Sequence, residues 1–312
     1  MDKISGGGNG EMKVFITGIL GSVGTLLEQT LKEKGFDVFG NDIKKDIKRN
    51  YLWKATEDLT TEDLAPYDVI IYASEPTADR PLGNASPSFI MTRAFLPLHR
   101  VLSYFVKNVY RDLKFIYLSS FNALYGNKVI SLTTRPAPTN FYGWMKASEE
   151  LLVETYKRMY PYVDNKLFIT RVSSAYGPGM RLDEMIAQMI IQALTKEYVV
   201  VRSPFAKRIW TYNKNVAEYY VKFLEEIDSR DRFIYHLVGD KDFTQPLTNL
   251  EIAKWILDII GYKDKTIGLG EIEQGEENVD FTVEQDPFWN PQYTFEEGIK
   301  ATLDYVKKVL GN

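Results

Sequence analysis

The fold is indicated most clearly by Lys13-Val-Phe-Ile-Thr-Gly-Ile-Leu-Gly-Ser-Val-Gly24. Its apolar first part is typical of a buried parallel strand, and regularly spaced glycines follow at once. Glycine is needed where a chain turns tightly, approaches a pyrophosphate closely or packs a helix on a strand. The helix that follows would offer unpaired N–H groups and a positive dipole end to phosphates. The order predicts a nucleotide-binding loop, and a tight turn without a ligand is the alternative. The expected ligand-binding residues are Gly18, Leu20, Gly21, Ser22, Val23 and Gly24.

Strands and helices alternate outward from this loop. The pattern predicts strands at 13–17, 37–42, 68–73, 114–120 and 166–171, and helices at 22–34, 88–108 and 143–160. Such alternation is typical of a parallel, doubly wound sheet with right-handed crossovers. After about Tyr176 the alternation loosens. This later part is expected to be irregular or extended over 198–212 and helical over 183–197, 213–227, 248–260 and 294–309.

The sequence therefore predicts an α/β chain, with a Rossmann-type doubly wound parallel sheet and a smaller C-terminal substrate-binding subdomain. Residues 12–175 would form the nucleotide-binding domain and residues 176–312 mainly the substrate-binding subdomain. Residues 233–238 are expected to return to the sheet as a late strand. Residues 1–11 are rich in glycine and without periodicity, so a flexible lead-in is expected there.

Composition excludes several classes of function. The chain has 312 residues, a net charge of −4 and no cysteine, so disulfides and thiolate chemistry are excluded. The net negative charge argues against a nucleic-acid partner. The two histidines, His99 and His236, lie far apart, and no metal site is expected. No apolar run approaches the roughly 20 residues of a membrane helix, and no secretion signal is evident, so no membrane partner and a cytoplasmic location are expected.

An acidic residue closes the second predicted strand. Asp42 is placed to accept hydrogen bonds from the adenosine ribose hydroxyls and to repel a 2′-phosphate, which favours NAD over NADP. Lysines 44, 45 and 48 follow closely and could soften this preference, although a solvated loop explains them better. The next loop would pass the adenine at Asp58, and an exposed acid is the alternative there. Further residues expected to bind the cofactor are Ile43, Leu59, Ala73 and Ser74.

Tyr142 and Lys146 lie four residues apart, which on a helix is one turn on one face. An unperturbed tyrosine has a pKa near 10 and is a poor base at neutral pH. A nearby ammonium and a positive nicotinamide ring would stabilise its phenolate. Tyr142 would then remove a proton from a substrate hydroxyl while hydride passes to the cofactor. A surface helix with a chance Tyr and Lys is the alternative.

Together these motifs resemble the extended short-chain dehydrogenase/reductases, in particular the nucleotide-sugar epimerase/dehydratase branch. The resemblance covers about residues 12–309. It is carried by Asp42 and by TGILGSVG (17–24), DVIIYAS (68–74), FIYLSSFNALYG (115–126), YGWMKASEE (142–150), RVSSAYGPGMR (171–181), RIWTYNKNVAE (208–218) and NPQYTFEEGI (290–299).

The resemblance implies a Ser or Thr beside the catalytic tyrosine, at the end of a strand. Counting along the strand gives Ser120, whereas counting back from the Tyr125-Gly126 turn gives Phe121, which has no hydroxyl; we favour Ser120. Dehydratases of the family carry an Asp-Glu pair next to this position. Phe121 and Asn122 stand there instead, so dehydration is disfavoured, and Asn122 could orient a substrate oxygen.

On the substrate side, Arg208 matches the family arginine that grips the substrate pyrophosphate, and Arg181 is a weaker candidate. Ser174 stands where the family often has Asn, and Asn215 where it usually has Asp. Ser174 is retained as a candidate substrate contact. The resemblance also implies a homodimer built from the helices at 88–108 and 143–160, although ordinary core packing would give the same composition.

The expected function is therefore that of an NAD-dependent oxidoreductase acting on a nucleotide-diphosphate sugar. It would oxidise a ring hydroxyl, with C4 favoured, as a 4-epimerase, a 4-dehydrogenase or, in reverse, a ketosugar reductase. The alternative is a non-catalytic NAD-binding regulatory or scaffold protein of the same fold.

Overall fold

The structure is a computed structural model that describes residues 12–75, 87–272 and 280–311. The predicted lead-in, residues 1–11, lies outside these described residues. A parallel sheet of seven strands forms the centre of the molecule. Its strands are β1 (Lys13–Thr17), β2 (Asp37–Asp42), β3 (Leu52–Trp53), β4 (Val69–Tyr72), β5 (Lys114–Ser120), β7 (Leu167–Val172) and β12 (Ile234–Leu237). They lie in the order β12-β7-β5-β4-β1-β2-β3.

The central strands are buried on both faces, because helices cover the sheet from both sides. β1 lies between β2 and β4, with Val14 opposite both Val38 and Val69. The α-helices are α1 (Ser22–Glu33), α2 (Thr61–Leu64), α3 (Pro87–Ile90), α4 (Leu96–Asn108), α5 (Phe141–Met159), α6 (Met185–Thr195), α7 (Asn213–Glu225), α8 (Asn249–Ile259) and α9 (Phe295–Leu310). One face of the sheet packs against α1 and α7, and the other against α4 and α5.

A second apolar core lies beyond the carboxyl ends of β5 and β7 and brings together α6, α8 and α9. Phe121, directly after β5, belongs to this core and is fully buried. Short strands border it in four pairs. They are β6 (Val129–Ile130) with β15 (Thr282–Val283), β8 (Ser174–Tyr176) with β11 (Trp210–Tyr212), β9 (Tyr198–Val201) with β14 (Thr266–Leu269), and β10 (Lys207–Arg208) with β13 (Leu247–Thr248).

The predicted α/β class and its doubly wound parallel sheet are confirmed. The expected late strand is also present, since β12 pairs in parallel with β7 at the edge of the sheet. The prediction of one continuous helix over 88–108 was wrong, because a π-helical turn at Met91–Phe95 separates α3 from α4. Pro97 explains the break, since its ring clashes with the carbonyl four residues back and its nitrogen donates no hydrogen bond.

Gly24 permits the first helix to lie against the loop that precedes it. A Cβ atom at this position would collide with the carbonyl oxygen of Gly18 and would lie 2.9 Å from Cα of Ile19. Both neighbours are main chain, so neither can move without displacing the loop. The close approach of α1 to β1 therefore requires glycine here.

We expect Gly24→Ala to lower the free energy of unfolding by about 1–3 kcal/mol, because the added methyl group overpacks a rigid contact. Urea unfolding followed by circular dichroism measures the change. Gly268→Ala is the matched control, since a Cβ there would meet its nearest atom at 3.7 Å, an ordinary contact. Equal stability of the two variants would contradict the close approach described above.

Candidate active site

The candidate site lies at the carboxyl edge of the sheet, where β1 and β4 are neighbours. Crossovers leave these two strands in opposite directions, and ligands of open α/β sheets bind at such a switch point. The glycine loop follows β1, Asp42 ends β2, Ala73 and Ser74 follow β4, and Ser120 ends β5. The sheet thus brings most of the predicted cofactor residues and the N-terminus of α5 to one edge.

The glycine loop is shaped to receive an anionic group. Gly21 is the N-cap of α1, yet no side chain caps the helix and no acidic residue lies in its first turn. Its first N–H groups and positive dipole end therefore suit a pyrophosphate. Thr17 ties the loop to the next strand, because its Oγ1 accepts hydrogen bonds from Ala73 N (3.1 Å) and Ser74 N (3.0 Å). These residues fit the phosphate part of NAD.

The Asp42 carboxylate lies beside this loop, where the ribose-binding acid was predicted. It is buried, with one oxygen accepting a hydrogen bond from Leu20 N and the other from Lys44 N, each at 2.9 Å. Main-chain donors therefore fix the orientation of the Asp42 carboxylate. Ile43, predicted next to it, is 53% exposed.

A hydroxyl cluster joins β2 to the segment after β4. Thr56 Oγ1 lies 2.7 Å from Ser74 Oγ and accepts a hydrogen bond from Asn41 Nδ2 at 3.1 Å. Thr56 begins the short 3₁₀ helix that contains the predicted Asp58, which is exposed. Leu59, the other predicted residue of this segment, packs against the core on the α4 side of the sheet. Leu59 therefore has a packing role in this core.

Tyr142 and Lys146 converge on one carboxylate oxygen. Asn140 caps α5 by accepting a hydrogen bond from Gly143 N (2.8 Å), which places Tyr142 in the first turn. The Tyr142 hydroxyl donates to Glu75 Oε1 at 2.8 Å, and Lys146 Nζ lies 2.7 Å from the same atom. The predicted phenol and ammonium therefore do lie together, with an acid between them.

The charges of this cluster set the ionisation of Tyr142. Burial, and after it the Glu75 carboxylate, raises the pKa of Tyr142 well above its usual value near 10. Burial alone lowers the pKa of Lys146, but the carboxylates of Glu75 and Glu149 outweigh it and raise that pKa. In the protein without a ligand, Tyr142 is therefore a neutral phenol and Lys146 an ammonium ion.

Ser120 places its hydroxyl at the site, whereas Phe121 lies in the core. Ser120 Oγ accepts hydrogen bonds from the backbone N and from Nδ2 of Asn122, both at 3.2 Å. Its own hydrogen remains to be donated, and a hydrogen bond from Ser120 lowers the pKa of Tyr142 against the larger effects of burial and Glu75. The Phe121 ring instead packs edge-on against His236 in the core. The 3₁₀ turn over Phe121–Ala123 thus puts the hydroxyl of the strand end beside Tyr142.

Asn122 is engaged with protein groups on both sides of its amide. Besides holding Ser120, it accepts a hydrogen bond from Asn140 Nδ2 at 3.3 Å. A Cβ atom at Gly143 would collide with the Asn122 carbonyl oxygen, so α5 packs tightly on this turn. Asn122 therefore fixes the position of the strand end relative to the tyrosine helix.

The predicted substrate-side residues occupy three separate places. Arg208 is half-buried in β10, and its guanidinium lies 5.1 Å from the centre of the Tyr125 ring. Arg181 is exposed and bonds Asp183 through Nε at 2.9 Å. Ser174 is half-buried in β8, opposite Trp210 of β11.

Asn215 has a structural role. It is 2% exposed, donates to Asp240 Oδ1 and to the Tyr293 carbonyl, and accepts hydrogen bonds from the backbone N of Gln292 and of Tyr293. Its amide uses a donor and an acceptor at once, which a carboxylate does not do. The Asn in place of the family Asp therefore matches its buried partners.

Neither histidine enters the site. Burial, and after it the Arg171 guanidinium, lowers the pKa of His236 to about 3, so this ring stays neutral. His99 Nδ1 lies 2.8 Å from the Tyr156 hydroxyl, where it links α4 to α5. Within the described ranges, no three His, Cys, Asp or Glu side chains gather where they could hold a metal ion. None of the described helices is long and apolar enough to cross a membrane.

Similarity to known proteins agrees with this geometry. The sequence model of the NAD dependent epimerase/dehydratase family matches residues 14–237. The chain belongs to this family. The family is described by its dependence on NAD, which agrees with the predicted cofactor, and the predicted resemblance to the epimerase/dehydratase family is confirmed.

Individual members of the family are distant in sequence. The low-salt glycan biosynthesis protein Agl12 of Haloferax volcanii is 26% identical over 257 residues, which is 80% of this chain and 78% of that protein. UDP-glucuronic acid 4-epimerase of Bacillus cereus, solved with UDP-glucuronic acid and NAD, superposes with a TM-score of 0.77 at 21% identity, covering 96% and 100% of the two chains. DesIV, a dTDP-glucose 4,6-dehydratase of Streptomyces venezuelae, gives 0.78 at 20% identity, covering 96% and 98%. The solved structures show that the fold is shared.

Three acidic residues of the site were not predicted from the sequence. Glu75 is the third residue after β4, and a polar residue just beyond a central parallel strand is the signal that could have revealed it. Glu149 lies three residues after Lys146 on the same helix face, 3.6 Å from its Nζ. Glu184 is at the N-cap of α6. Burial raises the pKa of Glu184 to about 7, and the negative charge of Glu75 contributes to the rise.

We expect opposite effects from two substitutions around Tyr142. Glu75→Gln should lower the pKa of Tyr142, because it removes a carboxylate that disfavours the phenolate. Ser120→Ala should raise that pKa, because it removes a donor that favours the phenolate. Titration of phenolate absorbance, with Tyr142→Phe as the blank, measures both. Shifts of the same sign in the two variants would contradict this arrangement.

Proposed function

We propose that this protein is an NAD-dependent oxidoreductase that acts on a nucleotide-activated sugar and oxidises its C4 hydroxyl to a ketone. The observation that carries the proposal is the convergence of three groups at the carboxyl edge of the sheet. Tyr142 and Lys146 meet within 2.8 Å of one oxygen atom, and Ser120 is a hydrogen-bond partner of Tyr142. In such a cluster the tyrosine can take a proton from an alcohol, while the ammonium and the hydroxyl assist it.

Each residue then has a defined task. Bound NAD would supply its positively charged nicotinamide ring as the hydride acceptor. Ser120 donates its hydrogen to the reacting oxygen and orients it, and Tyr142 takes the hydroxyl proton. Lys146 stabilises the phenolate and is the residue to hold the nicotinamide ribose. The Glu75 side chain is 33% exposed and bonds to Tyr142, so it offers the proton a route to water.

For the cofactor, the glycine loop would hold the pyrophosphate and Asp42 the adenosine ribose. The uncapped N-terminus of α1 and the buried carboxylate next to Leu20 support these assignments. The remaining proposed contacts are Ile43, Asp58, Leu59, Ala73 and Ser74. Residues 12–175 would thus form the NAD-binding domain and residues 176–312 mainly the substrate-binding part.

The substrate would lie between this edge and the second core. Arg208 is the proposed anchor for the pyrophosphate, because its guanidinium lies 5.1 Å from the centre of the Tyr125 ring, just after the turn that follows Ser120. Arg181, Ser174 and Asn122 are further candidates. Return of the hydride to the opposite face of the sugar would give 4-epimerisation, and loss of the reduced cofactor would give a 4-dehydrogenase. The acids expected of a dehydratase are replaced by Phe121 and Asn122, so dehydration is disfavoured.

We expect Tyr142→Phe to lower kcat roughly 100- to 10,000-fold with NAD and the nucleotide sugar that is turned over, since it removes the general base. A panel of nucleotide sugars, followed by chromatography and cofactor absorbance, identifies that sugar. Tyr162→Phe is the control, because this exposed tyrosine lies outside the site. Turnover unchanged in Tyr142→Phe would sink the proposed chemistry. NAD binding without turnover on any sugar would favour the non-catalytic alternative.

We further propose that two copies pair through α4 and α5. These helices lie side by side, since Ser103 Oγ and the Tyr156 hydroxyl are 2.6 Å apart. Their outer surface keeps several large apolar side chains exposed, at positions Leu96, Trp144, Leu151 and Met159. An apolar surface of this kind is typical of a protein interface.

We expect Leu151→Asp to convert a dimer to a monomer, because it places a charge in the proposed interface. Sedimentation velocity measures the change. Leu269→Asp is the matched control, since both leucines are 59% exposed and Leu269 lies on β14, away from α4 and α5. A parent protein that sediments as a monomer would refute the pairing.

A further inference from the structure

A second carboxylate lies on the buried side of Lys146. Glu149 is almost one turn further along α5, and both side chains are 1% exposed. The Tyr117 hydroxyl of β5 donates to Glu149 Oε2 at 2.6 Å, and Lys146 Nζ lies 3.6 Å from the same oxygen. Tyr117 of β5 thus holds the Glu149 carboxylate on one side, and the Lys146 ammonium faces it from the other.

The neighbouring Glu150 shows that this arrangement is not a general property of the helix. Glu150 accepts three hydrogen bonds from Arg171, at 3.0, 3.2 and 2.7 Å, and another from Ser119. Its charge is therefore matched by an arginine on β7. Glu149, equally buried, meets Lys146 as its cation in the described part of the chain.

The groups that face Glu149 from the surrounding elements define its electrostatics. They are Lys146 and Tyr142 on α5, Tyr117 on β5, Tyr72 on β4 and Glu75 after β4. Burial raises the pKa of Glu149, whereas Lys146 and the Tyr117 hydroxyl oppose the rise. A buried ammonium without a counter-charge would tend to lose its proton, so each member of the pair keeps the other charged.

The two carboxylates around Lys146 differ in exposure. The Glu75 side chain is 33% exposed, whereas that of Glu149 is 1% exposed. Glu149 is enclosed between α5 and β5, where the Tyr117 hydroxyl holds it. Glu149 is thus the counter-charge of Lys146 that lies away from solvent.

We propose that Glu149 is a positioning residue of the reaction centre: held by Tyr117, its carboxylate fixes the Lys146 ammonium beneath Tyr142 and sets the pH at which Tyr142 releases its proton. The inference rests on the proposed function only in taking Tyr142 as the base. It assigns a task to an acid that touches neither substrate nor cofactor.

Glu149→Gln tests this role in the full-length protein saturated with NAD. The substitution keeps the shape and an acceptor for Tyr117 but removes a negative charge that raises the pKa of Tyr142. Lys146 stays charged, because Glu75 Oε1 lies 2.7 Å from it and the Leu118 carbonyl 3.2 Å. We expect the midpoint of Tyr142 ionisation, from phenolate absorbance with Tyr142→Phe as the blank, to fall by about one pH unit or more. The acid limb of kcat/KM should move with it.

Two variants separate a charge effect from a packing effect. Glu149→Asp retains the charge, so its midpoint should return toward that of the parent protein. Glu154→Gln, on the same helix but paired at the surface with Arg158, should leave the midpoint unchanged. A folded, NAD-binding Glu149→Gln protein with the midpoint of Glu154→Gln would overturn the inference.

Should Glu149→Gln fail to fold, Tyr117→Phe takes its place. It removes the donor that lowers the pKa of Glu149, so the midpoint should move in the same direction by a smaller amount. An unchanged midpoint would again count against the inference. A shift in absorbance without turnover of any nucleotide sugar would support the role of Glu149 and refute the proposed function, whereas turnover without a shift would do the reverse.

Discussion

A positive charge buried between a helix and a sheet is the constraint on which the site depends. The Lys146 ammonium is almost wholly withdrawn from water, and such a charge persists only where opposite charges and acceptors surround it. Helix α5 brings the lysine, β5 brings the Leu118 carbonyl and Tyr117, and the end of β4 brings Glu75. Two neighbouring strands of the sheet, β4 and β5, must therefore be in register with α5 before the charge is tolerated.

That constraint links the fold to the chemistry. In a parallel sheet the carboxyl ends of neighbouring strands share an edge, so residues far apart in sequence become neighbours without any long loop. Tight packing of α5 on the turn after β5, at Gly143 and Asn122, then sets the distance between the serine and the tyrosine. The second core forms beyond the same edge, which leaves the reactive groups between two rigid bodies of packed side chains.

Part of this arrangement can be predicted from local sequence patterns, and the rest depends on contacts that those patterns do not specify. The Tyr142 and Lys146 pair follows from helical periodicity, and the glycine loop from its strand and helix neighbours. Glu75 could not be paired with Tyr142 in this way, because their contact spans two strands and depends on where each one ends. The choice between Ser120 and Phe121 depended on a single 3₁₀ turn, and the role of Asn215 on partners far away at 240 and 292–293.

The π-helical turn at Met91–Phe95 has a consequence for how one helix serves two neighbours. A π turn holds more residues than an α turn, so the residues before it are rotated by about 100° relative to a continuous helix. Arg93, within the π turn, donates a hydrogen bond to Glu57 of the 3₁₀ helix, while Leu98 and Phe105 of α4 face the sheet. Deleting one residue here would make the helix regular and detach it from one side or the other. In this segment the length of the chain is constrained as strongly as its composition.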